Sequence, residues 1–406
     1  MEMAGSWLGP GAGSPGARLT AAAPVDEGQA NNLWERLLFK IELVPVTTIW
    51  WVVGFGVAAL LFLALAVYVR PKKWMILFVP LVLVFTALAV GFAVNLKFHA
   101  FTTLGPMLGL NPYETGDDGL IDKPEGTYPR GVVVDATIPG RVSGLGELPA
   151  KVWLPPQWFT EPSRTFPVVF LLHGVPGFAV PGLDPNGGPA TLFTSANADN
   201  GAQLAATQRD QPVVLIAPVN SPMNADTECV DGTQGKWQTY LSTDLINWTG
   251  AHPRMQKGPE HTGISGYSMG GYCAQVTALR NPSKFSISGN LSGSFAPDYP
   301  DSQGGLAKLF GVDDVKAAEA DYDSIAIVQT QPASHSVRVW LRIGTGDNSA
   351  PGLIESQQKF AAAARDAGMT VEESKVPGGH DFKVWDPGFA AWIQWCAALL
   401  YGQQPQ

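Results

Sequence analysis

The sequence predicts an α/β domain, a mainly parallel sheet with helices on both faces, preceded by two transmembrane helices. Three observations predict it. Two uninterrupted apolar runs lie within residues 49–94, short β-branched runs alternate with helical stretches from Tyr128 onward, and a Gly-x-Ser-x-Gly turn joins a strand to a helix at Gly266-Tyr267-Ser268-Met269-Gly270. Composition agrees: charged residues make up 15% of the 406, against roughly 25% in an ordinary soluble protein. Gly 45 and Pro 33 suit a loop-rich domain better than a helical bundle. A net charge of −9 argues against nucleic acid as a partner, because phosphate binding needs a basic face.

Residues 49–69 (IWWVVGFGVAALLFLALAVYV) and 74–94 (WMILFVPLVLVFTALAVGFAV) hold no charged side chain. At about 1.5 Å per residue each covers roughly 31 Å, the thickness of a bilayer's hydrocarbon core, so the lipid bilayer is the expected partner of this segment. A cleaved signal peptide fits worse, since the first run starts late, exceeds an ordinary apolar signal core and is followed by a second span. The connector Arg70-Pro71-Lys72-Lys73 is basic, while Glu2, Asp26, Glu27, Glu35 and Glu42 outnumber Arg18, Arg36 and Lys40 in the tail. By the positive-inside rule the connector faces the cytosol, and everything after Lys97 is extracytoplasmic. The expected organisation is a flexible tail with an interfacial helix over 1–45, a hairpin over 46–97, a linker over 98–127 and a catalytic domain over 128–402. The interfacial helix rests on Leu33, Trp34, Leu37, Leu38 and Ile41 at helical spacing.

In the domain, strands are expected at 131–138, 150–154, 167–172, 213–218, 262–265, 337–343 and 371–376. The glycines around Ser268 permit a turn sharp enough to expose its hydroxyl above the sheet, beside a helix N-terminus. A serine needs a base. In a strand-turn-helix nucleophile arrangement the base follows the serine and the acid in chain order. Of six histidines, His99, His173, His252 and His261 precede Ser268, and His335 comes just before a strand, which leaves His380 in Gly378-Gly379-His380-Asp381. The acid belongs after the strand that precedes the base's own, where Asp347 sits in Gly344-Thr345-Gly346-Asp347-Asn348. Glu355 is the alternative acid. An oxyanion hole needs two backbone N–H groups: Met269 follows the nucleophile, and Val175 lies in His173-Gly174-Val175-Pro176, where Pro176 has no N–H to give. His173 is expected to shape that loop rather than to act as a base.

On these residues the chain resembles the putative esterase family (esterase D type) of α/β-hydrolases, and within it the actinobacterial mycolyltransferases. The likeness runs from about Asp135 to Trp395 and includes Lys236-Trp237-Gln238-Thr239-Tyr240-Leu241, the Gly266–Gly271 turn and residues 285–292. It implies an α/β-hydrolase fold, Ser268 as nucleophile, His380 as base, an Asp or Glu as acid, Val175 and Met269 as oxyanion donors, and no metal or organic cofactor. Mycolyltransferases place a trehalose-binding arginine right after the oxyanion donor; this chain has Pro176 there, so trehalose is not carried over. Three cysteines exclude a disulfide framework, and in an oxidising compartment one pair, Cys229 with Cys273, is expected beside a buried Cys396.

The function these readings imply is a membrane-anchored extracytoplasmic serine esterase or acyltransferase. Its substrate is an ester or acyl lipid, with water, an alcohol or a glycan as acceptor. The alternative is a catalytically inactive domain of the same fold that binds envelope lipid or glycan.

Overall fold

The computed structural model describes residues 44–68, 75–98, 101, 103–107, 113–175, 187–222, 225–312 and 314–404. The tail with its expected interfacial helix and the basic connector at 70–73 lie outside the described residues. Two helices, α1 (Ile49–Tyr68) and α2 (Met75–Phe98), are long and apolar enough to cross a membrane. They meet along an aromatic seam: Trp51 stacks on Phe92 at 5.2 Å and Phe62 on Phe85 at 5.3 Å. Their other faces carry exposed Leu60, Leu61, Leu83 and Val84. Over 49–68 and 75–94 no charged side chain interrupts either helix, so neither presents a charged face there.

The chain after the hairpin is built on a nine-stranded sheet. Its strands are β1 (Thr115–Gly116), β2 (Val132–Gly140), β3 (Gly146–Leu154), β4 (Val168–Leu172), β5 (Val214–Pro218), β6 (Thr262–Tyr267), β7 (Ile287–Leu291), β8 (Arg338–Gly344) and β9 (Val371–Val376). They lie in the order β1-β2-β3-β5-β4-β6-β7-β8-β9. Only β3 runs antiparallel to its neighbours β2 and β5. The helices used below are α3 (Ala198–Gln208), α4 (Met269–Arg280), α5 (Leu353–Asp366) and α6 (Phe382–Leu400), with shorter ones such as Ser324–Thr330 between them.

Both faces of the sheet are covered, which is why the strands read as continuous apolar runs. Along β4, Val168, Phe170 and Leu172 enter one core with Phe285 and Phe360, while Val169 and Leu171 enter the other with Phe389 and Trp392. Helices α4 and α5 cover the first face, α3 and α6 the second.

Two sequence expectations need correction. First, β7 reads Ile-Ser-Gly-Asn-Leu, fully buried, and was not among the expected strands. Small and polar residues there give no β-branched signal, because Gly289 sits where a Cβ would strike Trp392 and Ser265, and Asn290 is committed to hydrogen bonds. Second, described residues within 98–127 pack onto the sheet that follows, a contact the sequence did not signal. Tyr113, Leu120 and Ile121 are buried, β1 pairs with β2, and Trp158 donates its indole N–H to the Leu120 carbonyl at 3.1 Å. Polar and Gly-rich sequence concealed three apolar anchors.

Candidate active site

Ser268, Asp347 and His380 lie past the carboxyl ends of β6, β8 and β9, the edge of a parallel sheet where ligands are ordinarily bound. Ser268 follows β6 and precedes α4 with φ 56° and ψ −130°, a backbone conformation that a non-glycine residue rarely holds. Its surroundings impose it. The Ser268 N–H donates to the Leu291 carbonyl at 2.9 Å. A Cβ at Gly266 would lie 2.6 Å from the Leu172 carbonyl and one at Gly270 2.6 Å from the His173 carbonyl, so neither position tolerates a side chain. The sharp turn follows, and it leaves the Ser268 hydroxyl at the sheet edge.

His380 reaches that hydroxyl: Nε2 lies 2.8 Å from Ser268 Oγ. On the other side of the ring, Nδ1 lies 3.0 Å from Asp347 Oδ2 and 3.2 Å from Oδ1. The loops that carry the two residues are tied together. The Thr345 N–H donates to the Val376 carbonyl and the Gly346 N–H to the Gly378 carbonyl, each at 2.8 Å. Gly344 lies so close beneath that a Cβ there would come within 2.6 Å of the Gly379 carbonyl. Behind His380, the Trp385 ring meets the imidazole edge-on at 4.9 Å and stacks on Tyr267 at 4.6 Å. Tyr267 is held through its hydroxyl by Thr191 at 2.9 Å. The imidazole is therefore fixed by an acid, a backbone clamp and an aromatic wall.

The Asp347 side chain is fully buried. Burial raises its pKa, but the hydrogen bond and charge of His380, with a further bond from Ser349, more than offset this and hold it below the ordinary carboxylate value. Ser349 donates from its hydroxyl at 2.7 Å and from its N–H at 3.2 Å, both to Oδ1. Glu355 stands apart, exposed in the first turn of α5. Its charge there complements the helix dipole.

Met269 opens α4, so its N–H belongs to the first turn, where no intrahelical carbonyl is available to it. Val175 is half-buried just past β4. Gly174, between His173 and Val175, lies so near Ser268 that a Cβ on it would sit 2.9 Å from the Ser268 Cβ. Pro176 lies outside the described residues. His173 is buried and fully occupied. Its Nδ1 donates to the Gly174 carbonyl at 2.9 Å, its Nε2 accepts from the Asn220 N–H at 3.4 Å, and burial pushes its pKa down to about 4 against the raising effect of the Gly174 bond. It is a neutral structural group.

Sequence reasoning missed the partner of that residue. Asn220, fully buried just beyond β5, accepts from the His173 N–H at 3.1 Å and donates to its carbonyl at 3.0 Å, clamping the loop that carries Gly174 and Val175. Its position at a strand's carboxyl end was the available signal. Ser349 and Tyr267 were also missed, each visible only once the chain is folded. Cys229 and Cys273 form a disulfide with Cα atoms 5.5 Å apart, joining the segment after β5 to α4, and Cys396 is a buried free thiol. Among the described residues, no group of His, Cys, Asp and Glu is placed to hold a metal ion.

The arrangement can pass a proton from a hydroxyl to an imidazole whose charge a buried carboxylate would stabilise, which is the chemistry of acyl transfer through a serine. Comparison with known proteins points the same way. A family profile described as "Putative esterase" matches residues 146–395. An uncharacterised protein of Corynebacterium glutamicum is 25% identical over 271 residues, 66% of this chain and 61% of its own length; the chain thus spans less than two thirds of that relative. The diacylglycerol acyltransferase/mycolyltransferase Ag85B of Mycobacterium avium is 27% identical over 184 residues, 40% of this chain and 53% of that protein. Among solved structures, an S-formylglutathione hydrolase from Agrobacterium tumefaciens superposes with a TM-score of 0.53 at 20% identity, covering 68% of this chain and 98% of that one. The fold is that of the α/β-hydrolases, with two apolar helices ahead of it.

Proposed function

We propose that this chain, which belongs to the "Putative esterase" family, is a serine esterase or acyltransferase, is anchored in a membrane by its two apolar helices and works through Ser268, His380 and Asp347. Ser268 Oγ attacks an ester carbonyl while His380 Nε2 takes its proton. Asp347 holds the ring in the tautomer with its proton on Nδ1 and stabilises the imidazolium that forms. The N–H groups of Met269 and Val175 receive the developing oxyanion. His380 then protonates the leaving alkoxide, and the acyl-enzyme passes its acyl group to water, an alcohol or a glycan hydroxyl.

The observation that carries this reading is the unbroken line of hydrogen bonds from Ser268 Oγ through both nitrogens of His380 to a fully buried carboxylate. The basic connector supports an orientation with 70–73 in the cytosol and the catalytic domain, residues 128–402, outside. The test is Ser268→Ala in the full chain with a p-nitrophenyl ester. The expected loss in kcat is about 10⁴-fold or more, as for nucleophile deletions in comparable sites. A variant that folds and keeps most of its turnover would remove Ser268 from the mechanism.

A further inference from the structure

The catalytic domain is leashed to its helices far more tightly than the sequence suggests. Counted as free chain from the end of α2 at Phe98 to β2 at Val132, the connection could reach on the order of 110 Å. The structure ties down both ends of it. At the hairpin, Asn95 is buried and holds Phe101 twice, donating from Nδ2 to its carbonyl at 3.0 Å and accepting from its N–H at 2.9 Å through Oδ1. Pro45 and Thr103 form an antiparallel bridge, the Leu104 N–H donates to the Val44 carbonyl at 2.8 Å, and Trp51 donates its indole N–H to the Pro45 carbonyl at 2.9 Å. The chain entering α1 and the chain leaving α2 are thus fastened together as far as the short helix Leu104–Met107.

At the domain, the grip begins with Tyr113, buried edge-on against Phe193 at 5.9 Å. It continues through the β1–β2 pairing, and His252 and Asp122 meet at 3.1 Å beyond it. Only residues 108–112 separate the two fastenings. Whatever path they take, five residues reach roughly 20 Å at most.

We infer that the enzyme acts in cis, on ester lipids of the same bilayer that carries it. The inference rests on the membrane-anchored esterase reading above and adds the location and class of the substrate. A domain of this size is about 50 Å across. With a leash of roughly 20 Å, Ser268 never travels further than on the order of 70 Å from the bilayer surface, so ester lipids of its own bilayer are held at a high effective concentration around it while lipids of other bilayers are not. In the step itself the bond from Ser268 Oγ to the acyl carbon forms as the lipid's ester C–O bond breaks. The serine proton passes through His380 to the departing lipid alkoxide, and water or a hydroxyl acceptor then releases the acyl group.

The experiment reconstitutes the full chain in phosphatidylglycerol–phosphatidylethanolamine vesicles and supplies a fluorogenic acylglycerol either in those vesicles or in a second, enzyme-free population mixed with them. A water-soluble p-nitrophenyl ester is measured in parallel. The expected result is turnover at least about tenfold faster when enzyme and acylglycerol share a vesicle. Inserting some thirty Gly/Ser residues after Met107 should shrink that ratio severalfold while p-nitrophenyl turnover stays unchanged. Equal rates in the two arrangements, or p-nitrophenyl turnover with the acylglycerol untouched in both, would overturn the cis inference and leave the esterase reading standing. Absence of p-nitrophenyl turnover in folded protein would instead sink the esterase reading and this inference with it.

Discussion

The hairpin and the catalytic domain place the same residue types in opposite positions. In α1 and α2, Leu60, Leu61, Leu83 and Val90 are exposed and the polar Asn95 is buried, whereas in the domain Leu171, Leu215 and Leu341 are buried on either face of the sheet. Among the described residues, the exposed large apolar side chains all lie within 49–94 except Val142 and Val312. In the domain these side chains leave water by facing a sheet, whereas those of the hairpin still need a cover, which the proposed bilayer would supply. What the domain hides besides apolar surface is then informative. A buried carboxylate such as Asp347 costs several kcal/mol unless its oxygens are hydrogen-bonded, and here His380 and Ser349 bond them.

The largest effect expected from breaking this arrangement is at that carboxylate. Asp347→Asn, which keeps the shape and removes the charge, should lower kcat on the order of 10³ to 10⁴-fold by releasing the imidazole from its required tautomer. Glu355→Gln, on the exposed first turn of α5, should change kcat less than twofold. Steady-state kinetics of the two variants side by side decide between the acids, and the reverse ranking would move the role to Glu355.

The contrast between the regions sharpens with one charge placed in each. Leu60 is 66% exposed near the middle of α1 and Val142 53% exposed on the domain. Leu60→Lys should cost about 3 kcal/mol of membrane insertion, seen as protein lost from the alkaline-washed membrane fraction. Val142→Lys should leave both that fraction and Tm within error, since a surface change of this kind is worth no more than about 0.5 kcal/mol. Equal tolerance at both positions would mean that α1 does not face lipid.

A smaller effect separates the two site histidines. His173 is held neutral in the fold, its pKa pushed from 6.5 to about 4 by burial. Between those values the unfolded chain takes up a proton that the folded chain refuses, so stability falls as pH drops from 6.5 to 4, by up to roughly 3 kcal/mol, and is flat below. His173→Gln should flatten that acid slope of Tm against pH. A variant with the same slope would assign the acid sensitivity to other groups.

The legible parts of the sequence were those where one residue type does one thing. Unbroken apolar runs made the hairpin readable, and continuous Val/Leu strands between turn residues made most of the sheet readable. The order nucleophile, acid, base pointed to His380 and left Asp347 ahead of Glu355 as the expected acid. What stayed hidden depends on contacts between distant segments. The strand Ile287–Leu291 looks like a loop because Trp392 fills the space that a side chain at Gly289 would need. Asn220 and Ser349 are ordinary polar residues until His173 and Asp347 are brought to them. The short leash was concealed for the same reason, since Asn95 and Tyr113 each gain their partners only on folding.

The measurement that tests the central claim most directly is the site of covalent modification. The full chain in membranes is treated with a fluorophosphonate, which reacts only with a serine activated by a base, and the adduct is located by peptide mass spectrometry. The account predicts a single adduct on Ser268, lost in His380→Ala. An adduct on another serine, or none on a folded protein that still hydrolyses esters, would contradict it.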